Sequence, residues 1–235
     1  MKNISNKTNQ TVLSYKLLFL IIITIALISC SGKGKKNNAL SDSVKTKYTA
    51  ESNPVSKGKY RIKSGIITMN SETMGMVQSM TIYFDDYGNK ECSETKGVID
   101  MGIAGKIQIH NMTIVNNGYI YNLDISNKSG TKSKCSFSAK DIDFSNLNED
   151  IMKQMKISEA GTEVILGKTC DKYLLNDPAL KIKSAYSVWN GLPLKSEVSI
   201  NGITAKVTAK KIEENCTISA EKFEISKDIK ITEVK

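Results

Sequence analysis

From Tyr60 onward, apolar and polar residues alternate with a period of two. The alternation runs through Tyr60, Ile62, Ser64 and Ile66, and again through Met80, Ile82 and Phe84. It returns at Ile107 and Ile109, at Tyr119, Tyr121, Leu123 and Ile125, at Tyr186 and Val188, and at Leu194, Ser196, Val198 and Ile200. Successive side chains of a strand point to opposite faces, so each run predicts a half-buried strand. Turn sequences separate the runs: Asp86-Tyr87-Gly88-Asn89, Asn116-Asn117-Gly118, Lys128-Ser129-Gly130 and Asn201-Gly202. Asn-Gly suits a type I′ turn, whose two central residues take positive φ. Consecutive hairpins in an antiparallel sheet follow. One stretch breaks the period, with Leu147, Ile151, Met152 and Met155 at helical spacing. Ser145 is the expected cap, and Asn148 to Asp150 put polar and acidic groups in the first turn. About ten strands and one short helix fit a closed barrel, a sandwich, or a curved sheet covered by the helix.

A different pattern opens the chain. Lys2, Lys7 and Lys16 precede an apolar run from Leu17 to Ile28, broken only by Thr24 and followed by Ser29-Cys30. A run of about a dozen residues is too short for a membrane span, which needs ~20, and matches the core of a secretory signal. Leu27-Ile28-Ser29-Cys30 resembles the bacterial lipobox. That resemblance implies cleavage before Cys30, a diacylglyceryl group on its thiol and incorporation of palmitate. Two or more acyl chains give stable anchoring where one does not. Ser31 stands where inner-membrane retention would favour Asp, so the family rule implies an outer-membrane location in a Gram-negative envelope. Residues 31–59 are rich in Ser, Gly, Lys and Asn and cannot bury enough apolar surface to fold. Lys33, Lys35 and Lys36 sit beside the lipid, where each cation near an anionic surface adds ~1 kcal/mol. The expected organisation is a lipoprotein signal peptide at 1–29, a flexible tether at 30–59 and a β-rich domain at 60–235.

The net charge of +9 would point to nucleic acid if it were spread over the fold. It is not. Residues 60–235 hold 23 basic and 22 acidic groups, and the chain has a single arginine, Arg61. No concentrated basic face is expected, and nucleic acid is not an expected partner. His110 is the only histidine, which excludes clusters built on two or more histidines and leaves it as an expected structural strand residue. Asp85, Asp86, Asn89 and Glu91 surround a turn, but their spacing does not match a calcium loop. Phosphate-cradling glycine patterns are absent. No catalytic group, metal or cofactor is expected, and the chain is read as a binding protein, not an enzyme.

Setting Cys30 aside, Cys92, Cys135, Cys170 and Cys216 form an even set in an exported chain, so structural bridges among them, with three connectivities open, or buried thiols are expected. Met69, Met74, Met76 and Met80 crowd one hairpin, and flexible thioethers adapt to variable apolar partners. Trp189 ends a strand before a tight turn. Met74, Met76, Met80 and Trp189 are the candidate ligand-lining residues.

Gly161-Thr162-Glu163-Val164-Ile165-Leu166-Gly167-Lys168-Thr169-Cys170-Asp171-Lys172-Tyr173, then Val188-Trp189-Asn190-Gly191-Leu192-Pro193-Leu194-Lys195-Ser196-Glu197 and Phe223-Glu224-Ile225, together resemble Bacteroidetes-type lipoproteins related to the LolA/LolB lipoprotein-sorting superfamily. Tyr60 to Ser64 and Tyr83 to Gly88 extend the resemblance, which spans most of residues 60–232. It implies a half-barrel of about eleven antiparallel strands with a helical lid around an apolar cavity. The basic residue by which sorting proteins engage their partners has no mapped counterpart. The expected function is a lipid-anchored envelope protein, held to the membrane through Cys30, that binds a lipid, an acyl chain or another apolar ligand. The rival reading is a structural or interaction lipoprotein of an envelope complex or cell surface, with an envelope protein as partner and no small ligand.

Overall fold

The alternating runs become strands of one sheet except the first, of which only Ile66 lies in a strand: Tyr60, Ile62 and Ser64 belong to the irregular segment before the first strand. The structure, a computed structural model, describes residues 58–100, 105–134 and 142–234. Its strands are β1 (Gly65–Thr73), β2 (Met76–Asp85), β3 (Lys90–Asp100), β4 (Lys106–Asn116), β5 (Tyr119–Asp124) and β6 (Ser129–Lys134). A helix, α1 (Glu149–Met155), precedes β7 (Ile157–Ile165), β8 (Lys168–Asp177), β9 (Ile182–Trp189), β10 (Leu192–Ile200), β11 (Ile203–Glu214) and β12 (Lys230–Glu233). The leader, Cys30, the tether up to residue 57 and Cys135 lie outside the described residues.

The twelve strands run in the order β12-β6-β5-β4-β3-β2-β1-β11-β10-β9-β8-β7. Neighbours in sequence pair as antiparallel hairpins. The exceptions are β6 with β7 and β11 with β12, which do not pair: β1 instead joins the two halves by pairing antiparallel with β11, and β12 pairs in parallel with β6 at one edge. The sheet is curved and does not close, so of the architectures left open by the pattern it is the half-barrel. Bulges at Thr68/Met69, at Glu159/Thr162 and at Pro193/Lys195 supply local bending. The expected Asn-Gly turns form with positive φ at both residues: Asn117 and Gly118 at 52° and 77°, Asn201 and Gly202 at 51° and 84°.

The helix forms where its spacing places it, but its cap is Asn148 and not Ser145. Asn148 Oδ1 accepts from the Ile151 N–H at 2.9 Å, which satisfies one of the orphan donors of the first turn. Ser145 instead donates its hydroxyl to the Lys59 carbonyl at 2.8 Å. The helix stops after seven residues at Lys156, which adopts the left-handed conformation at φ 57°.

Opposing residues of antiparallel partners share a face, which sorts the core into two sides. On one side Ile67, Met69, Met80, Ile82 and Phe84 join Leu194, Val207 and Ala209 in one cluster. The same side continues to Tyr186, Val188 and Val198, which meet Ile142, Phe144 and, from the helix, Met152 and Met155. On the other side Cys92, Ile114 and Leu123 are covered by Phe223, Ile218, Ile225 and Ile229 of the segment leading to β12. The two clusters lie on one face of the sheet, the face that carries the helix: the first crosses both halves of the sheet, and the second, on which the helix packs, lies in the later half.

Candidate functional site

One end of the helix-covered face is sealed by the entering chain. Lys59, expected in the tether, is 5% exposed and belongs to the fold. Its ammonium lies 2.9 Å from Glu91 Oε2, and the two side chains are 6% and 3% exposed. The Tyr60 hydroxyl donates to the same carboxylate oxygen. Burial, reinforced by the adjacent Glu91 charge, pushes the Tyr60 pKa well up, so the phenol stays a donor. The Tyr60 ring meets Phe84 edge-on at 4.9 Å between centroids. Backbone bonds stitch the segment down: the Tyr60 N–H donates to the Tyr87 carbonyl at 2.9 Å and the Arg61 N–H to the Asn190 carbonyl at 3.0 Å. Gly88 (φ 82°) makes room for this seal, because a Cβ there would sit 2.6 Å from the Tyr60 ring.

Away from the seal the face changes character. Ser196 opposes Val207, Val207 opposes Ser71, and Ser71 opposes Gln78, so one row across four strands carries three polar side chains. All three are 2% exposed. Thr73, near the β1–β2 turn, is equally buried, and Thr95 lies beside Met80 on β3. An apolar floor with buried hydroxyls and one amide can hold an amphipathic molecule; it offers no nucleophile–base pair.

The four candidate lining residues separate. Met80 lies at the centre of the cluster with no exposed surface. Met76 is half-buried at the outer end of the same face of β2. Met74, at the hairpin tip with φ 53°, is 59% exposed. Trp189 packs on the opposite end of the cluster, with the Lys168 ammonium 4.4 Å above its ring centroid. The structure therefore brings Met76 and Met80 to one face and leaves Met74 and Trp189 at its two ends. Gln78, Thr73, Ser71, Thr95 and the Lys59–Glu91 pair were missed. The usable signal was phase: Gln78 falls in register with Met76, Met80, Ile82 and Phe84, an amide in an apolar series.

The turn oxygens at the other end of β2 are committed locally. Asp85 accepts from the Asp86 N–H at 2.8 Å, Asn89 donates to the Asp86 carbonyl at 2.7 Å, and Glu91 turns inward to Lys59.

On the opposite face Glu94 gathers two ammonium groups and an imidazole. Lys96 Nζ is 2.8 Å from its carboxylate, His110 Nε2 2.7 Å and Lys222 Nζ 3.5 Å. Burial works against the charged carboxylate, but the hydrogen bonds from Lys96 and His110 and the Lys222 charge outweigh it and hold the pKa down to about 2. His110 thus serves an ion network. A carboxyl whose folded pKa is depressed adds stability above its unfolded value, and that contribution disappears as pH falls through the folded value. Glu94→Gln is accordingly expected to lower the denaturation midpoint at pH 7. The gap to the parent should narrow between pH about 4.5 and about 2, as read from urea melts at each pH.

Cys92, Cys170 and Cys216 stand as separate thiols, so the expected pairing is not seen among these three. They lie apart: Cys92 under the C-terminal segment, Cys170 in the helix-side cluster and Cys216 half-exposed after β11. Burial and the nearby Glu94 charge push the Cys92 thiol up to about 12, and burial also raises Cys170. Thiolate is the reactive form, so labelling of the native protein with iodoacetamide, mapped by peptide, is expected at Cys216 well before Cys92 or Cys170.

The fold defines a class, that of mainly-β chains with one long, curved, unclosed sheet and a short helix. A solved structure shares it. An uncharacterised conserved protein from Thermus thermophilus matches 74% of this chain and 92% of its own length, with 10% identity and a TM-score of 0.50. The MucA/MucB complex of Pseudomonas aeruginosa matches over 75% of this chain and 60% of the matched one, at 10% identity and a TM-score of 0.45. The Mycobacterium tuberculosis lipoprotein LppX matches over 66% of this chain and 89% of its own, at 11% identity and a TM-score of 0.33. The first is a likeness of fold, and the other two overlap more loosely. No protein-family profile and no curated protein sequence matches the chain.

Proposed function

We propose that the chain is an exported, lipid-anchored protein of the cell envelope that binds a lipid, an acyl chain or a similar apolar ligand on the helix-covered face of its half-barrel, without catalysis. The observation that carries this reading is the continuity of that face: apolar side chains from both halves of the sheet line it, sealed at one end by Lys59, Tyr60 and Glu91. The leader and the lipobox-like Leu27-Ile28-Ser29-Cys30 support the anchored location, on the outer membrane of a Gram-negative cell by the Ser31 rule. The resemblance of residues 161–173 and 188–197 to Bacteroidetes-type relatives of the sorting superfamily supports the ligand class.

The test is a titration with a fluorescent fatty acid, run on the parent and two variants with a melting curve for each. Met76→Lys places a charge at the half-buried outer end of the face and is expected to weaken binding at least about tenfold while the protein still melts cooperatively. Met80→Lys buries an unpaired cation where no surface is exposed and is expected to lose more than ~3 kcal/mol of stability. Parent and Met76→Lys binding the probe equally would remove the face as the site.

A further inference from the structure

The face of the sheet that carries the helix holds, at the β1–β2 hairpin, a polar spot that the fold leaves unanswered. Gln78 and Thr73 are each 2% exposed. Among the described residues neither the Gln78 amide oxygen and nitrogen nor the Thr73 hydroxyl has a hydrogen-bond partner. Buried polar groups are ordinarily paired, so three unpaired atoms in one place ask for a partner from outside the chain. The register sets them together: Thr73 opposes Met76 and Ser71 opposes Gln78, which makes Thr73 and Gln78 diagonal neighbours on one face. Gly97 is where the Gln78 stem packs, because a Cβ there would lie 2.8 Å from Gln78 Cγ, so the position of the amide depends on that glycine.

Charge decides what kind of partner fits. Residues sharing this face around the spot are Ser71, Met76, Met80, Thr95, Ala205 and Val207, none of them ionisable. The charged residues of the same strands, Glu72, Glu94, Lys96 and Lys206, fall in the alternate phase and face the other way. The buried Lys59–Glu91 pair belongs to the far end of β2, where Glu91 opposes Phe84. A carboxylate or phosphate held here would be a buried charge without a cation. An amide offers one acceptor and two donors, and a hydroxyl offers both roles, which together match an ester, an amide or a hydroxyl.

We propose that Gln78 and Thr73 bind the uncharged hydrogen-bonding group of an amphipathic lipid whose hydrocarbon lies along the adjoining apolar cluster. This rests on the lipid-binding reading above and adds its specificity: neutral-headed amphiphiles are preferred over anionic ones. Gly97 lets the Gln78 side chain lie where it does, and a bulkier residue there would displace the amide from the spot.

The test is competition at pH 8 against diphenylhexatriene, a hydrocarbon fluorophore, bound to the delipidated full chain. Monooleoylglycerol and oleate carry the same hydrocarbon and differ at the head. The parent is expected to be displaced by monooleoylglycerol at about a tenth of the oleate concentration. Gln78→Leu is expected to keep diphenylhexatriene binding and to lose that preference, and the nearly isosteric Thr73→Val is expected to lose part of it and serves if Gln78→Leu melts early. Equal displacement by the two lipids in the parent, or a preference that survives both substitutions, overturns the subsite while leaving lipid binding intact. A folded parent that binds neither diphenylhexatriene nor either lipid overturns the lipid-binding reading and the subsite with it.

Discussion

Replacing Cys30 by Ala is expected to move the protein from the membrane pellet to the soluble fraction, or to leave it as an uncleaved precursor, and to abolish its labelling by radioactive palmitate. The magnitude follows from the acyl chains. Each buried methylene contributes ~0.8 kcal/mol, so two or more chains hold far more strongly than the tether lysines can, at ~1 kcal/mol apiece near an anionic surface. The reasoning depends on the lipobox-like Leu27-Ile28-Ser29-Cys30 directly after the apolar run. Fractionation with a labelling time course checks it, and equal palmitate incorporation by the variant would show that the anchor lies elsewhere.

Glu91→Ala is expected to be strongly damaging, with a loss of ~3–5 kcal/mol. Removing the carboxylate takes the Glu91 ion-pair partner from the buried Lys59 ammonium and the acceptor from the Tyr60 hydroxyl. Marginally stable domains have only ~5–15 kcal/mol in total, so the variant should melt near or below working temperature. The ion pair need not itself be strongly stabilising. Glu91→Leu combined with Lys59→Met is expected to recover most of the loss, because two apolar groups of similar volume remove both desolvation penalties. Urea midpoints of the single and double variants form the cycle; a double variant as unstable as Glu91→Ala would mean that the seal is held by geometry and not by charge.

How much of this was legible in the sequence varies by element. The strands and the Asn-Gly turns are local, since alternation and positive φ are written in neighbouring residues, and they appear as read except for the first run, whose Tyr60, Ile62 and Ser64 alternate without forming a strand. The helix is local too, yet its cap moved from Ser145 to Asn148, because a cap is settled by which side chain can reach an N–H two or three residues on, and Ser145 had a competing partner in the Lys59 carbonyl. Lys59 was placed in the tether because composition around it is polar. Its burial arises only when β3 brings Glu91 across 32 positions of sequence. The pairing of β1 with β11 and of β12 with β6 is likewise non-local and carries no short-range signal. At the candidate site the methionine cluster was visible, but its division into a core residue, a rim residue and an exposed tip depends on where the hairpin ends. Gln78 was readable from its phase alone, and it is the residue that most sharply separates a plain core from a binding face.

The central claim, that the helix-covered face takes up an apolar ligand, is tested most directly by native mass spectrometry of the full chain released gently from its own membranes. The account predicts a mass increment of one lipid per chain beyond the covalent anchor, reduced in Met76→Lys and identifiable after extraction. A cooperatively folded chain carrying no such increment, and acquiring none when incubated with extracted envelope lipids, would contradict it.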